Sequence, residues 1–172
     1  KAIQQSLDGI ARVTRIVRAM KEFSHPGATE KQAIDLNRSI ESTIVVSTNE
    51  WKYVAEVKTN FDKSLPLVPC LPGEFNQVLL NLLVNSAHAL AEVKDRGPTG
   101  KGTITVSTQQ QGNWVEIRLQ DTGTGIKKEI AHKIFDPFFT TKLGKGGNGL
   151  GMHIVHNIVS GLLGGSISVQ SS

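Results

Sequence analysis

The chain has 172 residues, with 19 Lys or Arg against 15 Asp or Glu, a net charge of +4. At 38% hydrophobic and 20% charged it suits roughly one folded domain with an extra element, and it is too poor in charge to be a disordered polyelectrolyte. Its single cysteine, Cys70, excludes an internal disulfide framework and a multi-cysteine zinc site, which points to a reducing compartment.

Residues 1–24 read as one helix, because apolar residues recur three or four apart from Ile3 to Phe23. The stripe is broad, as in a bundle helix, and Pro26 with Gly27 ends it. Residues 35–51 carry a second helical pattern, with Asp35 or Asn37 as cap, and residues 53–61 alternate as a strand. A proline-rich connector, 65–72, leads to a helix over 73–94. Strands follow at 103–109 and 114–120, joined by a Gly112-Asn113 turn. A helix is expected over 127–135. The glycine-rich stretch 143–149 opens a further helix to about Leu163, and 166–170 begins another strand. The order predicts an α+β fold, a two-layer sandwich of mixed sheet on helices with a protruding N-terminal helix. No apolar run reaches the ~18 residues that span a bilayer. Lysines are scattered without interleaved aromatics, so nucleic-acid binding has no support. Because residue 1 is Lys, the chain reads as a piece of a longer protein.

Four segments carry chemistry. On the apolar helix 73–94, Asn81, Asn85 and His88 fall at i, i+4 and i+7 and share one face. Such a polar stripe is solvated, paired within the fold or bound to a ligand, and an amide oxygen suits a Mg²⁺ already carrying phosphate and water. Asp121 ends a strand and precedes Gly123, Gly125 and Ile126; this is either an ordinary turn or a close backbone approach to a flat ligand, with a carboxylate for an adenine amino group. Residues 135–142 (FDPFFTTK) hold three of the six Phe, Phe139 among them, suited to packing, beside Thr140, Thr141 and Lys142, the last either a solvated charge or a point charge for phosphate. Five glycines lie in 144–151, ahead of a helix, where bare N–H groups suit an anion.

In this order and spacing the four segments resemble the ATP-binding catalytic domain of sensor histidine kinases, in the gyrase, chaperone, histidine kinase and mismatch-repair ATPase superfamily. Residues 81–87 (NLLVNSA) resemble the asparagine box, 121–126 (DTGTGI) the first glycine box, 135–142 the phenylalanine box and 147–152 (GNGLGM) the second glycine box. The resemblance implies the Bergerat-type fold over 35–172, a linker at 26–34, and the second helix of a dimerisation and phosphotransfer hairpin at 1–25. It implies ATP or ADP with Mg²⁺ as ligands, Asn85 ligating the metal, and Asn81 and His88 near the phosphates. Asp121 would hold the adenine amino group, with Gly123 and Gly125 giving clearance and Ile126 beside it. Lys142, Gly147, Gly149, Leu150 and Gly151 would form and hinge a lid over the phosphates, with Phe139, Thr140, Thr141 and Asn148 as further nucleotide-binding residues.

The partners implied are the protein's own phosphoacceptor hairpin, a response regulator receiver domain and a second copy in a full-length homodimer. The resemblance implies a cytoplasmic domain and leaves open a membrane anchor in the full-length protein. Superfamily ATPases carry a Glu four residues before the magnesium Asn; here that position is Asn81, an amide that is no general base. None of the five His has the setting of the family's acceptor. Asn148 stands where the family has Thr, and the pattern would continue beyond Ser172 into another strand. The competing expectation is a nucleotide-switched interaction module without kinase activity.

Overall fold

The structure, a computed structural model, describes residues 6, 10, 14, 29–93, 100–141 and 149–171. Most of the expected first helix, Lys142, Gly147 and Asn148 lie outside the described residues; of the first helix, Ser6, Ile10 and Thr14 are helical and exposed.

The elements run β1 (Gln32–Ile34), α1 (Leu36–Val46), α2 (Thr48–Trp51), β2 (Ala55–Phe61), β3 (Val68–Cys70), α3 (Pro72–Ala91), β4 (Gly102–Gln111), β5 (Trp114–Asp121), α4 (Lys128–Ala131) and α5 (Gly151–Asn157), which continues as a π-helix over Ile158–Leu162. β2 pairs parallel with β4, and β4 antiparallel with β5, so the three-stranded sheet is mixed. β1 pairs antiparallel with β3 in a separate ribbon.

Asp35 is the cap of α1: its Oδ1 accepts from Arg38 N at 3.1 Å. Asn37, the other candidate, instead donates to Asp62 O at 2.9 Å and accepts from Thr108 Oγ1 at 2.8 Å. The single expected helix over 35–51 breaks at Ser47, because Ser47 and Thr48 hydroxyls bond the carbonyls of Ile44 and Val45. Pro72 opens α3, where its missing N–H costs nothing.

One face of the sheet is covered. Leu36 and Ile40 of α1, Phe75, Leu79, Leu83 and Leu90 of α3, and Ile104 and Val106 of β4 form the core. A second cluster, Val78 with Val155 and Ile158, ties α3 to α5 and the π-helix. Two of α3's faces are thus committed to packing, and the edge bearing Asn81 and Asn85 is left half-buried. The sheet's other face is polar, with a cleft of about 530 Å³ lined by Asn60, Asp62, Ser107, Gln109, Glu116 and Arg118. Arg118 there is already paired with Glu116 at 2.7 Å.

Three further expectations are corrected. The helix over 127–135 closes after four residues, and Lys133 N and Asp136 N then bond three residues back, to Ile130 O and Lys133 O. Among the described residues, 166–170 join no ladder, although burial alternates from 164 to 171; side chains hold this segment, through Ile167 on the second cluster and Ser171 Oγ accepting from Ile126 N at 2.8 Å. Gln32–Ile34, expected in the linker, is paired as β1.

Candidate functional site

Asp121 ends β5, one strand away from the parallel pair, and both of its carboxylate oxygens are engaged. Ser86 Oγ, on α3, donates to Oδ2 at 2.8 Å, and Gly123 N donates to Oδ1 at 2.9 Å. The carboxylate is therefore held in one orientation by two elements distant in sequence, with lone pairs left for a ligand. The loop after it lies hard against α3: a Cβ on Gly123 would stand 2.7 Å from Asp121 Oδ1 and 2.8 Å from Ala89 Cβ. The expected clearance for a ligand at Gly123 is thus occupied by α3. Gly125 has φ +70, a left-handed turn that a side chain would strain.

On α3, Asn81 and Asn85 are half-buried and His88 is exposed. The side-chain amides of Asn81 and Asn85 make no hydrogen bond among the described residues, so they are not caps or internal partners there. Gly151, the first residue of α5, faces this edge: a Cβ there would lie 4.0 Å from Asn85 Nδ2. The absent side chain keeps the space beside the amide open. Among the described residues, no group of three or more His, Cys, Asp or Glu could hold a metal by itself. A cation at Asn85 must bring ligands with it, as a phosphate-bound Mg²⁺ does.

The phenylalanine-rich turn packs against the start of α5. His153 Nδ1 lies 3.1 Å from Phe135 O, and the Phe135 and His156 rings are 5.3 Å apart. Gly149, at φ +69, presses on the backbone of Phe138, where a Cβ would fall 2.4 Å from the carbonyl carbon. Phe138 itself has φ 62 and is 73% exposed, so it is not the packing residue its neighbours are. Ile126 and Phe139 are half-buried, and their backbone amides donate to Ser171 Oγ at 2.8 Å and to Asp136 O at 3.3 Å. Leu150 and Thr140 are half-buried and Thr141 is exposed.

Three of the four segments therefore meet α3 or α5. The asparagine segment meets the first glycine segment through the Ser86–Asp121 hydrogen bond, and Gly151 of the second faces Asn85 across open space. The residue that sequence reasoning left without a role is Ser86, a hydroxyl only 4% exposed on α3 whose partner Asp121 lies 35 positions further on.

The family model for histidine kinase-, DNA gyrase B- and HSP90-like ATPases matches residues 71–172. The chain belongs to that family. It is 34% identical over 161 residues to the sensor histidine kinase ZraS of Escherichia coli (strain K12), a match over 93% of this chain and 32% of ZraS. The chain thus spans about a third of the length of this curated relative. The catalytic domain of the histidine kinase ThkA superposes with TM-score 0.62 at 27% identity, covering 77% of this chain and 81% of that one. ThkA in complex with the response regulator protein TrrA gives TM-score 0.59 at 26% identity, over 92% of this chain and 43% of that one. Within the family, then, the chain is an ATP-binding catalytic domain of the sensor histidine kinase kind.

Proposed function

We propose that this chain binds Mg-ATP in the cleft between α3, the end of β5 and the start of α5, and presents the γ-phosphoryl group to a histidine outside it. The observation that carries this is the amide of Asn85, unpaired among the described residues and facing the side-chain-free Gly151, with the carboxylate of Asp121 held by Ser86 of the same helix. Asp121 accepts the adenine amino group, and Asn85 offers its amide oxygen to Mg²⁺. Asn81 and His88 face the phosphates, and Gly149 and Leu150 lie on the lid side. When bound, Mg²⁺ neutralises charge on the phosphate oxygens.

The other roles belong to this chain's own side chains. Asn81 binds no proton near neutral pH, so nothing at that position activates water, and the γ-phosphoryl group is kept for transfer. The acceptor is a histidine of the protein's own hairpin, in a homodimer. From the likeness to ThkA, which is seen with TrrA, we extend a response regulator receiver domain as the downstream partner. The domain works in the cytoplasm, in a protein that can be membrane-anchored.

Radiolabelled ATP incubated with this chain and the separately supplied hairpin should label the hairpin's histidine, while this chain alone remains unlabelled. Nucleotide binding without any label transfer would instead favour a nucleotide-switched interaction module, and steady phosphate release by the chain alone would favour an ATPase.

A further inference from the structure

We propose that Ser86 is a positioning residue that sets the site's preference for adenine over other purines; this rests on the reading of Asp121 given above. A serine in mid-helix ordinarily bonds back to a carbonyl of its own helix. Ser86, only 4% exposed, instead reaches across to Asp121 Oδ2 at 2.8 Å, over 35 positions of sequence. Gly123 N takes Oδ1 at 2.9 Å from the opposite side.

A hydroxyl has one proton to give. Spent on Oδ2, it fixes the rotation of the carboxylate about its Cβ–Cγ bond, together with the Gly123 amide. The lone pairs that remain then point in a set direction. An exocyclic amine arriving there finds an acceptor already aimed. A carbonyl at the same place, as in hypoxanthine, meets an oxygen that cannot turn away and has no proton to offer. Attraction of one base and rejection of the other both depend on this fixed orientation. Without the Ser86 hydroxyl, one oxygen loses its partner and the group can swing, so the two bases become harder to tell apart. A Cβ at Gly123 would stand 2.8 Å from Ala89 Cβ, one turn along α3 from Ser86, so the loop that follows Asp121 packs directly on the helix that carries the hydroxyl.

The experiment is calorimetric titration of the chain with ADP and with inosine diphosphate, in Mg²⁺, for the wild type, Ser86→Ala and Ser86→Thr. In Ser86→Ala the ratio of the two affinities should shrink about tenfold, the effect of one hydrogen bond to a charged group. Ser86→Thr, which restores the hydroxyl, should recover most of the ratio. Thermal midpoints measured alongside separate fold from selectivity, since a purely structural Ser86 would lower the midpoint and leave the ratio alone. An unchanged ratio in Ser86→Ala, whether or not both affinities fall, overturns the proposal. A wild-type chain that binds neither nucleotide overturns the nucleotide reading itself, a different outcome from the first.

Discussion

At the residue scale, the site depends on how closely backbone approaches α3. A Cβ at Gly123 would meet Asp121 Oδ1 and Ala89 Cβ at 2.7 and 2.8 Å, and neither can yield easily, since one is hydrogen-bonded and the other sits on a packed helix. Gly123→Ala should therefore destabilise the fold by about 1–3 kcal/mol, read as a lowered urea midpoint. It should also weaken ADP binding at least about tenfold by displacing Asp121. Asp121 and Asn85 stand out as candidates through the order and spacing of the four segments, since each local pattern alone reads equally as an ordinary turn or an internally paired amide. Ser86 does not, because its partner lies on a strand that only the folded chain brings to α3. Cys70 gives a pH test. Burial, the largest influence, raises its thiol above the ordinary value of 9.0. The unfolded thiol ionises first, so the stability owed to the neutral thiol holds below about pH 9 and declines as pH rises further. Thermal midpoints should drop less steeply above pH 9 in Cys70→Ala than in the wild type.

At the element scale, α3 joins packing to function. Its Leu83, 1% exposed, lies in the sheet core, while Asn81 and Asn85 occupy the half-buried edge. Leu83→Ala should cost about 2–5 kcal/mol of stability, measured by urea unfolding, while the folded fraction binds ADP with wild-type affinity. A matching loss of affinity would show that the two faces are not separable. Periodicity revealed α3, β4 and β5 because each is long enough to repeat its pattern. β1 and β3 have three residues apiece, too short for a period, and β3 sits among prolines. Residues 164–171 show the opposite case. Their alternation is real, yet alternation reports side-chain burial and not a hydrogen-bonded neighbour, so the pattern was readable while no described strand pairs with it.

At the scale of the whole molecule, the mixed sheet carries helices on one face, and the other face is polar. The two-layer class was legible because hairpin chemistry at Gly112 and two amphipathic helices leave few other arrangements. The juxtaposition of Asn85 with Gly151, 66 positions apart, was legible only through the family pattern, since nothing local in either segment refers to the other. The absence of a carboxylate at position 81 bears on the molecule's overall chemistry. The chain mixed with Mg-ATP should release phosphate no faster than buffer in a coupled assay, and sustained turnover would mean that another group activates water.

The decisive measurement is calorimetry of ADP binding to the 172-residue chain, with Mg²⁺ and then with the cation chelated, for the wild type, Asn85→Ala and Asp121→Asn. Binding that needs Mg²⁺ in the wild type, loses that dependence in Asn85→Ala and falls at least about tenfold in Asp121→Asn is the expected result. Equal heats in all three proteins, or no heat at all in the wild type, would mean that these amides and this carboxylate do not form a nucleotide site.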